Sequence, residues 1–206
     1  FKRGRFTISG TDRSIGITEL ADKLRGGEVK LPPDVPTTLD VSHVSDGVPS
    51  TYPNGCHIAE VEVDPDTGLV RVVRYITVND FGTQINPMLV AGQLHGGVVQ
   101  GIGQTIGEVT AYDDDGQLLS GSYMDYALPR ASTVPNFEVI DHPTPATTNP
   151  LGAKGCGEAG CAGSLTSMMN AINDALSGYG IAHLDMPATP ERVWQAIQGA
   201  NQTKAA

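Results

Sequence analysis

The sequence predicts an α+β fold, and three observations carry that prediction. Residues 56–63 alternate between two faces, meet a turn signal at 64–68, and are followed by a second β-rich run, the pattern of an antiparallel hairpin. Asn86-Pro87 is a helix start signal and opens a glycine-containing helix over 87–99. Residues 164–176 place Leu165, Met168, Met169, Ile172 and Leu176 on one helical stripe.

The elements follow in chain order. Arg5 to Ser9 predicts a short strand. Thr18 is expected to cap a short helix over 19–24, which Gly26-Gly27 ends. Residues 28–54 are rich in Pro, Asp, Ser and Thr and predict a long connecting segment. In the hairpin, Cys56, Ile58 and Glu60 share one face; His57, Ala59, Val61 and Val63 share the other, which packs inward. Asp64-Pro65-Asp66-Thr67-Gly68 supplies the turn, and Leu69 to Val78 forms the return strand. Residues 106–112 read as a strand, Asp113 to Gly116 as a solvent turn, 123–128 as a short helix or turn, and 137–140 as an edge strand. Pro143 to Pro150 reads as a rigid linker. A last helix over 187–197 is capped by Thr189, opened by Pro190, and packs through Val193, Trp194 and Ile197. The expected organisation is a partial domain with its connecting segment over 1–54, a main domain over 55–198 and a frayed tail over 199–206.

Composition narrows the function classes. The chain has 206 residues, with 13 Lys and Arg against 23 Asp and Glu, a formal charge of -10. That excess argues against nucleic acid or an anionic membrane surface as a general partner. No apolar run approaches the roughly 18 residues of a membrane helix. Phe1 to Arg5 is basic without a following apolar stretch, so it does not read as a secretory signal. Cys56, Cys156 and Cys161 match no common zinc or iron–sulfur spacing and read as free thiols of a reducing, cytoplasmic compartment. His57, His95, His142 and His183 are too dispersed to suggest a shared metal site. The acidic turn at Asp113 to Asp115 lacks the longer ligand array of a calcium loop.

Two glycine-rich constellations carry the functional signal. The first runs from Gly92 to Gln104. Gly96, Gly97, Gly101 and Gly103 can bring backbone N–H groups close to a ligand, and Gln93 and Gln100 offer uncharged donors and acceptors. The same small residues also suit a close helix–helix contact. The glycine spacing is neither a Rossmann fingerprint nor a Walker loop. The second is Gly152-Ala153-Lys154-Gly155-Cys156-Gly157-Glu158-Ala159-Gly160-Cys161-Ala162-Gly163-Ser164, directly before a helix. A glycine loop feeding a helix N-terminus suits an anion, and Lys154 can offset charge or hold a phosphate. Glu158 has no evident stabilising role there; burial would raise its pKa towards the range useful for proton abstraction. The competing reading is an exposed carboxylate on a flexible loop.

Both constellations resemble the molybdopterin-binding region of the xanthine dehydrogenase, aldehyde oxidase and carbon monoxide dehydrogenase family. Lys154-Gly155-Cys156-Gly157-Glu158-Ala159-Gly160 is similar to the family's glutamate-bearing loop. Asn86-Pro87, Gly92-Gln93, Gly96-Gly97 and Gln100-Gly101-Ile102-Gly103 resemble its second cofactor-binding segment. Thr11-Asp12-Arg13-Ser14-Ile15 resembles a stretch further upstream. The resemblance implies the C-terminal portion of a molybdopterin-binding large subunit, with 55–198 as part of the cofactor-binding domain. It implies that Glu158 is the base that deprotonates the labile oxygen ligand on molybdenum, which attacks an electrophilic substrate carbon. It implies a molybdenum–pterin cofactor, as molybdopterin cytosine dinucleotide, held by Gln93, by Gly96, Gly97, Gln100, Gly101 and Gly103, by Lys154, Gly155, Cys156 and Gly157, and by Ser164. The pterin holds the metal, so no protein ligand to molybdenum is implied.

Family large subunits are far longer than 206 residues. The resemblance therefore implies that the remainder of the molybdenum subunit comes as a separate or cleaved chain. Partner chains would carry [2Fe–2S] clusters and FAD. Aldehydes or N-heterocycles are the favoured small-molecule substrates. The alternatives are a fragment of a carbon monoxide dehydrogenase large subunit and a non-catalytic assembly or cofactor-loading module.

Overall fold

The computed structural model describes residues 1–44 and 46–205. The chain divides into two units, Phe1–Gly47 and Val48–Ala206. In the first, β1 (Arg5–Thr7) pairs antiparallel with β2 (Ser14–Gly16), Phe6 opposite Ile15. Helix α1 (Ile17–Arg25) follows at once, with Gly16 at its N-cap and Gly26 at its C-cap. Thr18 was the expected cap but lies inside the helix: β2 already holds Gly16 in the extended conformation that an N-cap needs, so the helix begins one residue after the strand.

The second unit is built on a three-stranded sheet in the order β3-β4-β5. Strand β3 (Asn54–Val63) and β4 (Val70–Asp80) form the expected antiparallel hairpin, with Cys56 opposite Val78 and Val63 opposite Val70. Asp64 closes the turn by accepting the N–H of Asp66 and the Thr67 hydroxyl, and Gly68 takes φ 72°. A bulge opposite Glu60 and Val61 inserts Val73 into β4, since Arg74 pairs with Glu60 and Val72 with Val61. That one residue resets the alternation. Val70 and Val72 before it, and Tyr75, Thr77 and Asn79 after it, all face the core. Strand β5 (Phe137–Asp141) lies on the edge, parallel to β4.

Helix α2 (Pro87–Ile106) starts where expected, Asn86 Oδ1 accepting the Leu89 N–H at 3.3 Å. It continues past Val99 for two more turns, through Gly101 and Gly103. Glycine disfavours a helix by about 1 kcal/mol per position, but here close packing against neighbours supports the segment. Residues 106–112 are not a strand: Ile106 ends α2, and only Tyr112 makes an isolated bridge, to Leu118. Helix α3 (Ala159–Ser177) begins five residues earlier than its apolar stripe predicts, inside the glycine cluster. Helix α4 (Pro190–Ala205) is capped by Thr189 Oγ1, and runs through the stretch expected to be a frayed tail. Val193 and Ile197 are buried in the core, but Trp194 is 41% exposed on the rim. The core gathers β4, α2, α3 and α4 around Tyr75, Phe81, Leu94, Val98, Met168 and Ile172. Among the described residues, no helix is long and apolar enough to cross a membrane.

Candidate cofactor-binding site

The two glycine-rich segments lie against each other as α2 and the first half of α3. A β-carbon on Gly97 would stand 2.9 Å from the Cys161 backbone nitrogen and 3.1 Å from Gly160 Cα. One on Gly160 would stand 2.6 Å from the Leu94 carbonyl oxygen, and one on Gly101 would overlap the Ser164 hydroxyl. Gly103 is used likewise against the Pro129 ring. Gly97, Gly101 and Gly103 are therefore spent on close backbone approach within this chain, the helix–helix alternative their composition left open. Ser164 is fully buried in the same seam, its hydroxyl donating to the Cys161 carbonyl at 3.2 Å.

Other members of the predicted set face outwards. Gln93, Gly96 and Gln100 recur at three- and four-residue intervals on the exposed side of α2. A side chain at Gly96 would meet nothing within 4 Å. Gly155 and Gly157 are also exposed, with open space around both. A cleft of about 320 Å³ brings Gln93 of the first constellation together with Lys154 and Cys156 of the second, over an apolar floor that includes Phe81 and Leu89.

Glu158 is the N-cap residue of α3. Its carbonyl accepts the Ala162 N–H at 3.0 Å, but its carboxylate caps no backbone N–H and is exposed. The first turn of α3 carries no acidic residue. Glu158 thus stands at the end of a 19-residue helix where the helix dipole favours negative charge. The burial expected of Glu158 is not supplied by the residues of this chain.

Lys154 is engaged from two sides. Its ammonium lies 2.6 Å from Asp80 Oδ2, with both side chains largely buried. Its backbone N–H donates to the Phe81 carbonyl at 2.9 Å. The Lys154 charge and the backbone N–H groups of Thr144 and Gly82 hold the Asp80 carboxyl well below the usual carboxylate range.

Sequence reasoning missed a second cavity, of about 410 Å³, on the other side of α3. Its walls include His57, Asn79, Ala159, Gly163, Thr166 and Ser167. The His57 ring lies on the Gly163 backbone, and its Nδ1 is 2.7 Å from the Tyr75 hydroxyl, which in turn is 3.1 Å from Ser167 Oγ. Burial lowers the His57 pKa, with a smaller opposing contribution from Asn79; burial pushes the Tyr75 hydroxyl up to about 12. Asn79 Oδ1 accepts from Thr77 at 3.0 Å, while the buried Nδ2 has no hydrogen-bond partner among the described residues. The inward phase of His57 on β3 was the only sequence signal for this cluster. Among the described residues, no three His, Cys, Asp or Glu side chains are grouped to hold a metal ion.

Residues 1–135 match the family model of the molybdopterin cofactor-binding domain. The chain is 36% identical over 197 residues to the carbon monoxide dehydrogenase large chain of Hydrogenophaga pseudoflava, covering 96% of this chain and 24% of that one. It is 38% identical over 192 residues to the nicotine 6-hydroxylase large subunit of Paenarthrobacter nicotinovorans, covering 93% and 24%. Its fold is similar to that of the Cu,Mo-CO dehydrogenase, with a TM-score of 0.83 and 32% identity over 98% of this chain and 25% of that one. Quinoline 2-oxidoreductase from Pseudomonas putida 86 matches with a TM-score of 0.83 and 35% identity, over 95% and 25%. The chain spans about a quarter of the length of these relatives. By its match to the family model, its identity to these large subunits and its fold, the chain belongs to the molybdenum hydroxylase family and corresponds to the C-terminal molybdenum-binding region of its large subunits.

Proposed function

We propose that the chain forms part of a molybdenum hydroxylase that oxidises a substrate carbon with oxygen derived from water, with Glu158 as the base. The observation that carries this reading is the position of Glu158: an exposed carboxylate at the start of α3, flanked by open glycine backbone, a few residues from a cleft that Gln93 also lines.

The chain's donors suit a pterin with an anionic tail. Gln93 and Gln100 present neutral amides that match a heterocycle edge, and Gly155 and Gly157 leave backbone uncovered beside a helix N-terminus that favours phosphate. The direct contacts are assigned to Gln93, Gly96, Gln100, Cys156 and the backbone at 155–157. Lys154 contributes through its place in the cleft. Gly97, Gly101, Gly103 and Ser164 serve at one remove, by setting the helix pair that carries the others. The molybdopterin cytosine dinucleotide form is the one proposed. When bound, this cofactor supplies the redox centre that takes up the two electrons of the oxidation. Glu158 accepts, on a carboxylate oxygen, the proton that water loses as its oxygen becomes bonded to the substrate carbon. The remainder of the large subunit encloses the site and desolvates Glu158. Chains with [2Fe–2S] clusters and FAD carry the electrons away, in the cytoplasm.

An aldehyde or N-heterocycle is the favoured substrate class, and the heterocycles named for the nicotine and quinoline enzymes support the latter. A carbon monoxide dehydrogenase role is the second reading, favoured by the similarity to two such enzymes. Turnover of the assembled protein with carbon monoxide against a panel of N-heterocycles separates the two. Glu158→Gln tests the base: retained molybdenum and pterin with turnover reduced by about 10²–10⁴-fold is expected. Wild-type turnover in that variant would reject the assignment. An assembled complex that lacks molybdenum and pterin would favour the assembly-module reading.

A further inference from the structure

We infer that Asp80 is a positioning residue for Glu158, acting through Lys154; the inference rests on the reading of Glu158 as the base. Asp80 ends β4, the central strand of the sheet. Its Oδ1 accepts the N–H groups of Gly82 at 3.0 Å and Thr144 at 2.8 Å, which fixes the carboxylate on the backbone of two separate segments. Its Oδ2 holds the Lys154 ammonium at 2.6 Å, and the two side chains are 13% and 11% exposed. A pair this enclosed is short, charge-assisted and little weakened by solvent.

The backbone repeats the connection. Lys154 N donates to Phe81 O at 2.9 Å, Thr83 N donates to Gly152 O at 2.9 Å, and Gly82 bridges Ala153. A β-carbon at Gly82 would overlap the Gly152 carbonyl, so the two segments run together as closely as backbone allows. Lys154 is the last residue of that zipped segment. Ala159, the first residue of α3, is fixed from the other side by the glycine seam between α3 and α2.

Glu158 therefore hangs between two fixed points. The intervening Gly155 and Gly157 have nothing packed against their Cβ positions and contribute no stiffness of their own. With α3 holding one end and Cys156 packed against the core within the loop, the Lys154–Asp80 pair adds to the backbone bonds that draw the other end to the sheet. Releasing it gives the loop freedom where a misplacement of about 1 Å can cost on the order of 10²-fold in rate. Asp80 touches no reacting atom in this scheme; it acts on the position of the carboxylate.

The test uses the assembled, cofactor-loaded protein and the variants Asp80→Asn, Lys154→Met, Lys154→Arg and Glu158→Gln. Asp80→Asn and Lys154→Met are expected to lower kcat by about 10–10²-fold with KM little changed and molybdenum and pterin content retained. Amide hydrogen exchange is expected to rise at Thr83 and Lys154, whose N–H groups tie the loop to the sheet, while the interior of α3 stays protected. Lys154→Arg, which keeps the charge, is expected to recover most of kcat and of the protection. If Asp80→Asn does not assemble, the pair Lys154→Met and Lys154→Arg decides the same question. Unchanged kcat and unchanged exchange at Thr83 and Lys154 in the charge-removing variants overturn the positioning role while leaving Glu158→Gln inactive. Wild-type turnover of Glu158→Gln instead removes the base reading, and the exchange result then stands alone as a structural one.

Discussion

Gly97 on α2 meets Cys161 on α3 so closely that a β-carbon at 97 would lie 2.9 Å from the Cys161 backbone nitrogen. The helix that Glu158 precedes as N-cap is seated by this contact and by Gly101 against Ser164. Gly97→Ala and Gly101→Ala are expected to force the helices apart and destabilise the chain by about 1–3 kcal/mol each, the range for overpacking. Gly96→Ala, on the open face of the same helix, is expected to raise stability by up to about 1 kcal/mol through helix propensity. Denaturant midpoints of the three variants check the contrast; equal effects would mean that the seam is not close-packed.

His57 supplies an acid-side dependence. Its folded-state pKa lies below the ordinary 6.5, chiefly through burial. The unfolded chain therefore binds the proton more readily. The stability His57 contributes is present above pH 6.5 and lost as pH falls through the lowered folded value. His57→Gln is expected to flatten that part of the stability–pH curve. Denaturation midpoints above and below pH 6.5 measure it, and an unaltered slope would remove His57 as its source.

Tyr75 acts with the opposite sign. Its pKa is raised from 10.0 to about 12. Its contribution is fully present below pH 10.0 and is lost as pH rises from there through about 12. Tyr75→Phe is expected to remove this alkaline loss, while costing about 1 kcal/mol at neutral pH because the half-buried groups of His57 and Ser167 lose a partner. Ultraviolet titration of the phenol together with alkaline unfolding tests both halves.

The exposed amides of α2 are proposed to contact the cofactor, and this can be read without turnover. Gln93→Leu combined with Gln100→Leu is expected to lower molybdenum and pterin content of the purified assembly several-fold, with the helix content of the chain unchanged. Full occupancy in the double variant would exclude both as contacts.

Much of the fold was legible because its signals are local. The inward phase of Val61 and Val63, the Asp64–Gly68 turn, the Asn86 cap and the Ile172–Leu176 stripe each depend on residues a few positions apart, and each is found in the structure, although α2 runs longer and α3 begins earlier than expected. The errors share a different cause. Thr18 lost its capping role to a glycine placed by a neighbouring strand, and Trp194 sits on the rim although it is apolar. Residues 100–106 and 159–163 are helical although glycine-rich, since partner helices and Pro129 occupy the space beside them.

For the candidate site, the sequence by itself singled out two segments and one carboxylate to test, because glycines, glutamines and Glu158 cluster along the chain. Only the tertiary structure decided how each glycine is used. Gly97, Gly101 and Gly160 are pressed between helices, whereas Gly96, Gly155 and Gly157 remain open, and identical residues cannot reveal that difference before they are packed. It was also the structure that joined Lys154 to Asp80, 74 positions away. A buried ion pair between distant residues leaves no periodic trace in sequence, since its geometry comes from the sheet and the loop that converge on it.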